Sequence, residues 1–171
     1  MTGAFDDPFR TTLMSMYGAA AAVERDDRAG LHLLLNDLYE SYEDFPALLT
    51  AMSYVTLDRL DAALALSGDR AVSGEESREL AQRLLVGASS YAITGTASIH
   101  AAAQRLDAVR RHDTVAAIQE VRTARAIVSD ADLLCGATAL LTATIGVWAD
   151  RAGEDRTAAL RGLCLASLTA A

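Results

Sequence analysis

The sequence predicts an all-α protein, a single-domain helical bundle of about seven to eight helices with no sheet. Hydrophobic residues make up 51% of the chain, and only two prolines interrupt it. Alanine, the strongest helix former, supplies 35 of the 171 residues. No stretch shows the alternation of polar and apolar residues that marks a half-buried strand. Because this length is typical of one domain, we expect residues 1–171 to share a single core.

The first three helices are predicted from their start and stop signals. Asp7 and Pro8 have the residue types of an N-cap and a first helical position, so the first helix should begin there. Gly30 is predicted to end it, and a second helix should cover residues 31–43. Pro46 disfavours the helical conformation for the residue before it, so the chain should break there before a third helix.

A loop is predicted over residues 67–74, where glycine and serine are frequent. At its end Ser73 and Glu76 have the spacing of a capping box, which predicts the start of a fourth helix. That helix should run into a stretch rich in glycine, serine and threonine. The low helix propensity of this stretch predicts a kink or a short break near residues 94–96.

The remaining helices follow from further capping signals. Ser129 and Asp132 resemble a capping pair, and Gly153 has the position of a C-terminal helix glycine. The predicted helices cover residues 97–111, about 113–128, about 129–151 and about 155–168.

The segment 133–149 contains seventeen residues without a charged side chain, close to the lower limit for a membrane-spanning helix. Its alanine, threonine and glycine residues make it only weakly hydrophobic, and Asp132 and Asp150 flank it where basic anchors would be expected. We therefore predict a central helix of the bundle and no association with a membrane.

A helix that is apolar on every side must be covered on every side. Residues 133–149 and 87–103, the latter uncharged apart from His100, offer more apolar face than one bundle of this size is expected to enclose. A two-fold interface would cover the excess, and two-fold dimers are the commonest symmetric assemblies. The sequence thus predicts a homo-oligomer, most simply a homodimer.

The net charge of −8 is concentrated in residues 1–67, which hold eleven acidic residues and four arginines. An acidic surface repels nucleic acid, so no nucleic-acid partner is expected, whereas a basic protein could bind it. The N-terminus lacks a basic segment followed by an apolar stretch, and Cys135 and Cys164 lie in apolar helical runs. These features predict a cytoplasmic protein without disulfides.

Arginines are unusually dense in the segment 105–125, which also carries three acidic residues. This pattern has two interpretations: an anion-binding site, or solvated helix faces with charges paired four residues apart. The arginines of the candidate anion site are Arg105, Arg110, Arg111, Arg122 and Arg125.

Four carboxylates form the candidate metal site. Glu40 and Glu43 share one face of the second helix, and Asp58 and Asp61 share one face of the third, so the two pairs could hold Mg²⁺ through oxygen ligands. Residues 40–61 resemble the Glu-x-x-Glu and Glu-x-x-Asp pairs of the MazG-type all-helical nucleotide pyrophosphohydrolases, although Asp58 stands where that family has glutamate. The resemblance implies metal-assisted hydrolysis of a nucleoside triphosphate. An exposed acidic face is the alternative.

No catalytic residues are predicted, because the three histidines are scattered and no nucleophile elbow or phosphate-binding glycine loop is present. Three functions are therefore compared. The first is a non-enzymatic, homodimeric protein-interaction module without a cofactor; the second is the Mg²⁺-dependent MazG-like hydrolase. The third is a small-molecule sensor, whose pocket polar-tipped aromatic side chains could line. These aromatic residues are Tyr39, Tyr42, Tyr54, Tyr91 and Trp148.

Overall fold

The computed structural model describes residues 8–66 and 74–169. Within these ranges the chain forms eight α-helices and no strand, which confirms the all-α class. The capping residue Asp7, most of the predicted loop and the side chains of the predicted capping box lie outside the described residues. The helices are α1 (Pro8–Glu24), α2 (Arg28–Ser41), α3 (Phe45–Ala65), α4 (Gly74–Ser90), α5 (Thr96–Arg110), α6 (Thr114–Ala124), α7 (Asp130–Ala152) and α8 (Arg156–Thr169).

Side-chain caps fix the start of several helices, because a polar side chain there accepts a hydrogen bond from an otherwise unpaired backbone N–H. Ser129 accepts from the Asp132 backbone N–H at 3.1 Å, and its hydroxyl donates to the Asp132 carboxylate, as predicted. Gly153 ends α7 in the left-handed conformation, which is also as predicted. Carboxylate caps begin α2, α3, α6 and α8 through Asp27, Asp44, Asp113 and Asp155.

The predicted end of the first helix at Gly30 is wrong. The chain leaves α1 after Glu24 and turns at Asp26, which adopts the left-handed conformation that a glycine would usually supply. Asp27 then caps α2 by accepting from the Gly30 backbone N–H at 2.9 Å. A Cβ at Gly30 would lie 2.3 Å from the Asp27 carboxylate, so this glycine leaves room for the cap and does not stop a helix.

Two other boundaries shift without changing the order of the helices. The predicted interruption of the fourth helix is confirmed, but it begins earlier, because α4 ends at Ser90 and residues 91–95 form the connection to α5. The sixth helix is shorter than predicted. It ends at Ala124, and the chain continues through turns to the cap of α7.

Helix α7 is the centre of the bundle and packs against α1, α3, α4, α5 and α8. It is long and apolar enough to cross a membrane, but 72% of its apolar window is buried by the other helices, as in the core helix of a soluble protein. The hydroxyls of Thr138, Thr142 and Thr144 each donate to the backbone carbonyl four residues earlier, so these buried polar groups are satisfied locally. One chain therefore covers most of α7, and the homodimer stays a prediction.

Candidate functional site

Four helices leave a small apolar pocket where α3, α4, α5 and α7 meet. Its volume is about 140 Å³. Among the described residues, the wall consists of leucine and alanine side chains together with the charged side chains of Asp107 and Arg110. We define the apolar pocket by the residues that line it, which are Leu60, Leu64, Leu80, Ala81, Leu84, Leu85, Ala103, Leu106, Asp107, Arg110 and Leu140.

Local sequence explains why this wall forms. In α4, Leu80, Leu84 and Ala88 recur every four residues, so they form one buried stripe that packs against α5 and α7. Leu106 and Leu140 meet this stripe in the same buried cluster. The leucine side chains of α3, α4, α5 and α7 converge here without filling the space between the four helices. The unfilled space is the pocket. Its inner wall, which includes Leu60, Leu84 and Leu140, belongs to the core, whereas its rim is exposed at Asp107 and Arg110.

The mouth of the pocket carries an unequal pair of charges. The Asp107 carboxylate accepts a hydrogen bond from the Arg111 guanidinium, which neutralises it. Arg110, by contrast, has no ion-pair partner in the part of the chain that the structure describes, and its side chain is exposed. The apolar pocket is thus bordered by one uncompensated cation.

A second depression, of about 330 Å³, is polar, and its arginine already has a hydrogen-bond partner. Arg125 donates two hydrogen bonds of 2.8 Å to the Asp130 carboxylate and lies 5.3 Å from the centroid of the Phe45 ring. Tyr39 also donates to Asp130. The depression brings together candidates from three separate hypotheses, because Glu43, Arg125, Tyr39 and Tyr42 all line it. Since Arg125 is already paired with Asp130 and lies over the Phe45 ring, it ties the start of α3 to the start of α7.

The four carboxylates of the candidate metal site are all exposed, and Asp58 is paired with its neighbour Arg59 at 2.5 Å. Among residues 8–66 and 74–169, no group of three or more histidine, cysteine, aspartate or glutamate side chains is placed to hold a metal ion. The packing explains this, because α2 lies mainly against α1 whereas α3 lies mainly against α7. The geometry therefore adds nothing to the Mg²⁺ site built from Glu40, Glu43, Asp58 and Asp61, and it stays a prediction.

The five arginines of the candidate anion site have different surroundings. Arg105 is buried, with 1% of its surface exposed, whereas the other four are exposed. Arg111 and Arg125 are paired with Asp107 and Asp130. This division leaves two arginines of chemical interest, Arg110 at the apolar pocket and Arg105 in the core.

None of the predicted aromatic side chains lines the apolar pocket. Tyr54 lies 2.9 Å from the Thr114 hydroxyl, and Trp148 faces the Arg59 guanidinium at 5.6 Å from its ring centroid. Each of these side chains joins two elements of the fold. The sequence signal that could have located the pocket was the leucine stripe of the fourth helix, together with Leu140 in the uncharged helix.

Tyr91 belongs to a polar network that connects four elements. Its hydroxyl donates to Glu24 at 2.9 Å, and burial together with this bond raises the pKa of Tyr91. Nearby, Arg156 donates to Asp150 through two nitrogens at 3.1 and 2.6 Å, which lowers the pKa of that carboxyl. The network joins α1, the α4–α5 connection, α7 and α8, and we interpret it as structural.

Comparison with family models, with curated proteins and with solved structures gives no match for this chain. The pockets are therefore interpreted from their own residues. Of the two depressions described above, the apolar pocket is the one that combines apolar walls with an unpaired charge, and we take it as the candidate functional site.

Proposed function

We propose that the protein is a small-molecule-binding domain whose apolar pocket takes a compact amphipathic anion, an apolar body that carries a carboxylate. The observation that supports this function is the unpaired Arg110 guanidinium at the mouth of a leucine-lined pocket. Among the described residues, the wall contains no serine, cysteine, histidine or tyrosine, which favours binding over catalysis. A non-catalytic sensor or carrier, the third function considered from the sequence, fits these residues.

The pocket's volume limits the size of the ligand. A cavity of about 140 Å³ is close to the roughly 150 Å³ of an engineered cavity that binds benzene. Drug-sized ligands need about 300 Å³ or more. The expected ligand is therefore a single ring or a short branched chain. Burial of about six carbons contributes at most about 5 kcal/mol, so we expect a Kd on the order of 0.1–1 mM.

Arg110 would bind the acidic group of the ligand. Its planar guanidinium presents paired N–H donors that match a carboxylate, and a charge-assisted hydrogen bond contributes about 1.5–3 kcal/mol. Asp107 does not oppose the ligand, because Arg111 already neutralises it. A ligand that binds only the folded state raises the melting temperature, and the stabilisation grows with the logarithm of the ratio of ligand concentration to Kd.

Benzoate and benzene test the proposal together, because they share a ring and differ in charge. We expect benzoate to raise the Tm of the wild-type protein, and Arg110→Met to weaken benzoate binding about tenfold or more while leaving benzene binding unchanged. Ala103→Leu, which extends a side chain into the pocket, should abolish both responses. Isothermal calorimetry measures the affinities, and circular dichroism confirms that each variant folds.

Arg122→Met is the matched control, because Arg122 is an exposed arginine on α6 that does not line the pocket. It should bind benzoate as the wild type does. The proposal is contradicted if Arg110→Met and Arg122→Met respond equally. It is also contradicted if no compact apolar anion raises the Tm of the wild type.

We propose self-association as a second function, in line with the interaction module predicted first from the sequence. Leu165 and Leu168 are each more than half exposed, and their spacing of three residues places them on one face of α8. A second copy that packs against this face would bury it. Sedimentation equilibrium should show a dimer that Leu165→Glu dissociates, and a monomeric wild type would contradict this.

A further inference from the structure

Arg105 is a buried cation whose hydrogen-bonding groups are only partly used. Its Nε donates to the Leu49 carbonyl at 3.1 Å and to the Ser53 hydroxyl at 3.0 Å. Both terminal nitrogens, Nη1 and Nη2, are buried without a hydrogen-bond partner among the described residues. One edge of the guanidinium is therefore bound to α3, and the other edge presents unpaired donors inside the protein.

This side chain is charged at neutral pH despite its burial. Removal from water lowers the pKa of Arg105 to about 10, and the nearby Glu120 acts in the opposite direction. A buried charge without a partner is strongly unfavourable, and buried polar groups in native proteins nearly always have a hydrogen-bond partner. The packing around Arg105 therefore favours an anion at the Nη edge.

Glu120 on α6 is the acidic residue whose charge acts on Arg105. Its carboxylate accepts no hydrogen bond from either Nη atom of Arg105. Its side chain is only half-buried, so its carboxylate keeps contact with water. An anion from solution has the same chemistry and is not tethered to α6.

We propose that the interface of α3, α5 and α6 is a binding site for a small free carboxylate, held by the Nη1 and Nη2 edge of Arg105. Two N–H groups on this edge match the two oxygens of a carboxylate. The near-complete burial of Arg105 limits the anion to a few atoms, and formate is the simplest member of this class.

Helix α6 provides the way in. It is the shortest described helix and packs mainly against α5 and α3, on the side of Arg105. Its beginning is tied to α3 by the contact between Tyr54 and Thr114, and the turn after its end is tied to α7 by Arg125 and Asp130. A small displacement of α6 between these two ties would admit an anion without unfolding the core.

Formate is the probe, and gluconate at equal ionic strength is the control, because it carries the same carboxylate on a body too large for the interface. We expect the Tm of the wild type to rise with the logarithm of the formate concentration and to be unchanged by gluconate. Arg105→Met should remove the response, and Arg105→Lys, which keeps the charge but not the paired donors, should weaken formate binding about tenfold. Arg105→Met should fold, since apolar replacement of a buried charge is often neutral or stabilising.

Three further variants separate this site from its surroundings. Arg122→Met and Arg110→Met should respond to formate as the wild type does, and Arg110→Met keeps this inference independent of the apolar pocket. Glu120→Gln should keep or strengthen the response. A wild type that is insensitive to formate, with Glu120→Gln lowering its Tm, would assign the partner role to Glu120 and overturn the proposal. Equal responses of the wild type and Arg105→Met would overturn it as well.

Discussion

Helices α5 and α7 pack against each other in two contrasting ways within about one turn. At Gly136 the backbones touch, because a Cβ at this position would lie 2.6 Å from the carbonyl carbon and oxygen of Ser98. About one turn further along α7, Leu140 lines the apolar pocket together with Ala103 and Leu106 of α5. The same pair of helices is thus in close contact at one level and separated by a cavity at the next.

The contrast shows that small residues set the distance between helices in this bundle, whereas large residues leave space between them. Where glycine and serine meet, the helix axes come close together, and the position of α5 on α7 is fixed. Where leucines converge from several helices, their shapes leave space that a ligand could use. Close packing should therefore decide stability at the first level and binding at the second, and substitutions at the two levels should have opposite effects.

The largest effect is expected at the close contact. Gly136→Ala places a methyl group against the backbone of Ser98, which cannot move without shifting α5. We expect the free energy of unfolding to fall by about 3 kcal/mol, the upper part of the range for overpacking. Urea denaturation followed by circular dichroism measures this change.

Gly162→Ala is the matched control, since a Cβ built at this exposed position of α8 would meet no atom of another described element within 4 Å. Alanine is the better helix former, so this variant should be more stable by about 0.5–1 kcal/mol. If both substitutions change stability by the same amount, the close contact at Gly136 does not hold α5 in place.

The next largest change in stability is expected from leucine substitutions at two adjacent alanines of α5, one in the core and one at the pocket. Ala102 is 2% exposed inside the core, whereas Ala103 lines the pocket. Ala102→Leu should lower the free energy of unfolding by about 2 kcal/mol through overpacking. Ala103→Leu should raise it by about 1 kcal/mol through cavity filling. Chemical denaturation of both variants measures the signs, and a destabilised Ala103→Leu would mean that the pocket has no room for a larger side chain.

Local signals predicted the helices well because they act over a few residues. The caps at Asp113 and Ser129 and the stop at Gly153 depend on short-range hydrogen bonds and backbone conformation, which the sequence contains directly. The prediction that Gly30 ends a helix is wrong because neighbouring residues perform the tasks that were assigned to the glycine. Asp26 adopts the left-handed conformation of the turn, and Asp27 caps the second helix. Gly30 lies inside that helix, where its backbone N–H donates to Asp27.

The candidate sites were harder to predict because they depend on tertiary packing. The apolar pocket requires four helices to meet, and no local pattern contains their relative positions. Arg105 is different, because a local signal was present. It lies four residues after Ala101 and four before Val109, both buried, so helical periodicity alone places it on the apolar face of α5. The density of arginines in residues 105–125 does not distinguish this buried arginine from its exposed neighbours.

The smallest effect is expected at Gly146, the other described glycine of α7 whose missing side chain makes room for a distant group. A Cβ here would lie 3.2 Å from Cζ of Arg156, the end of a flexible side chain that can shift. Gly146→Ala should therefore weaken the Arg156–Asp150 pair without moving a helix. Because this pair is partly exposed, its contribution is below about 1 kcal/mol, and the higher helix propensity of alanine offsets it by about 0.5–1 kcal/mol, so the net change should be close to zero.

The dependence on pH separates this weak effect from a packing defect. Arg156 holds the pKa of Asp150 below its unfolded value of about 3.9. The pair therefore stabilises the fold fully above that pH, and its contribution disappears as the pH falls through the lowered pKa. As the pH falls through this lowered pKa, Gly146→Ala should become more stable relative to the wild type, because the wild type loses the ion pair while the helix propensity of alanine does not change. Urea denaturation at neutral and acidic pH measures this shift. A stability difference between the two proteins that does not change with pH would mean that Gly146→Ala does not act through the Arg156–Asp150 pair.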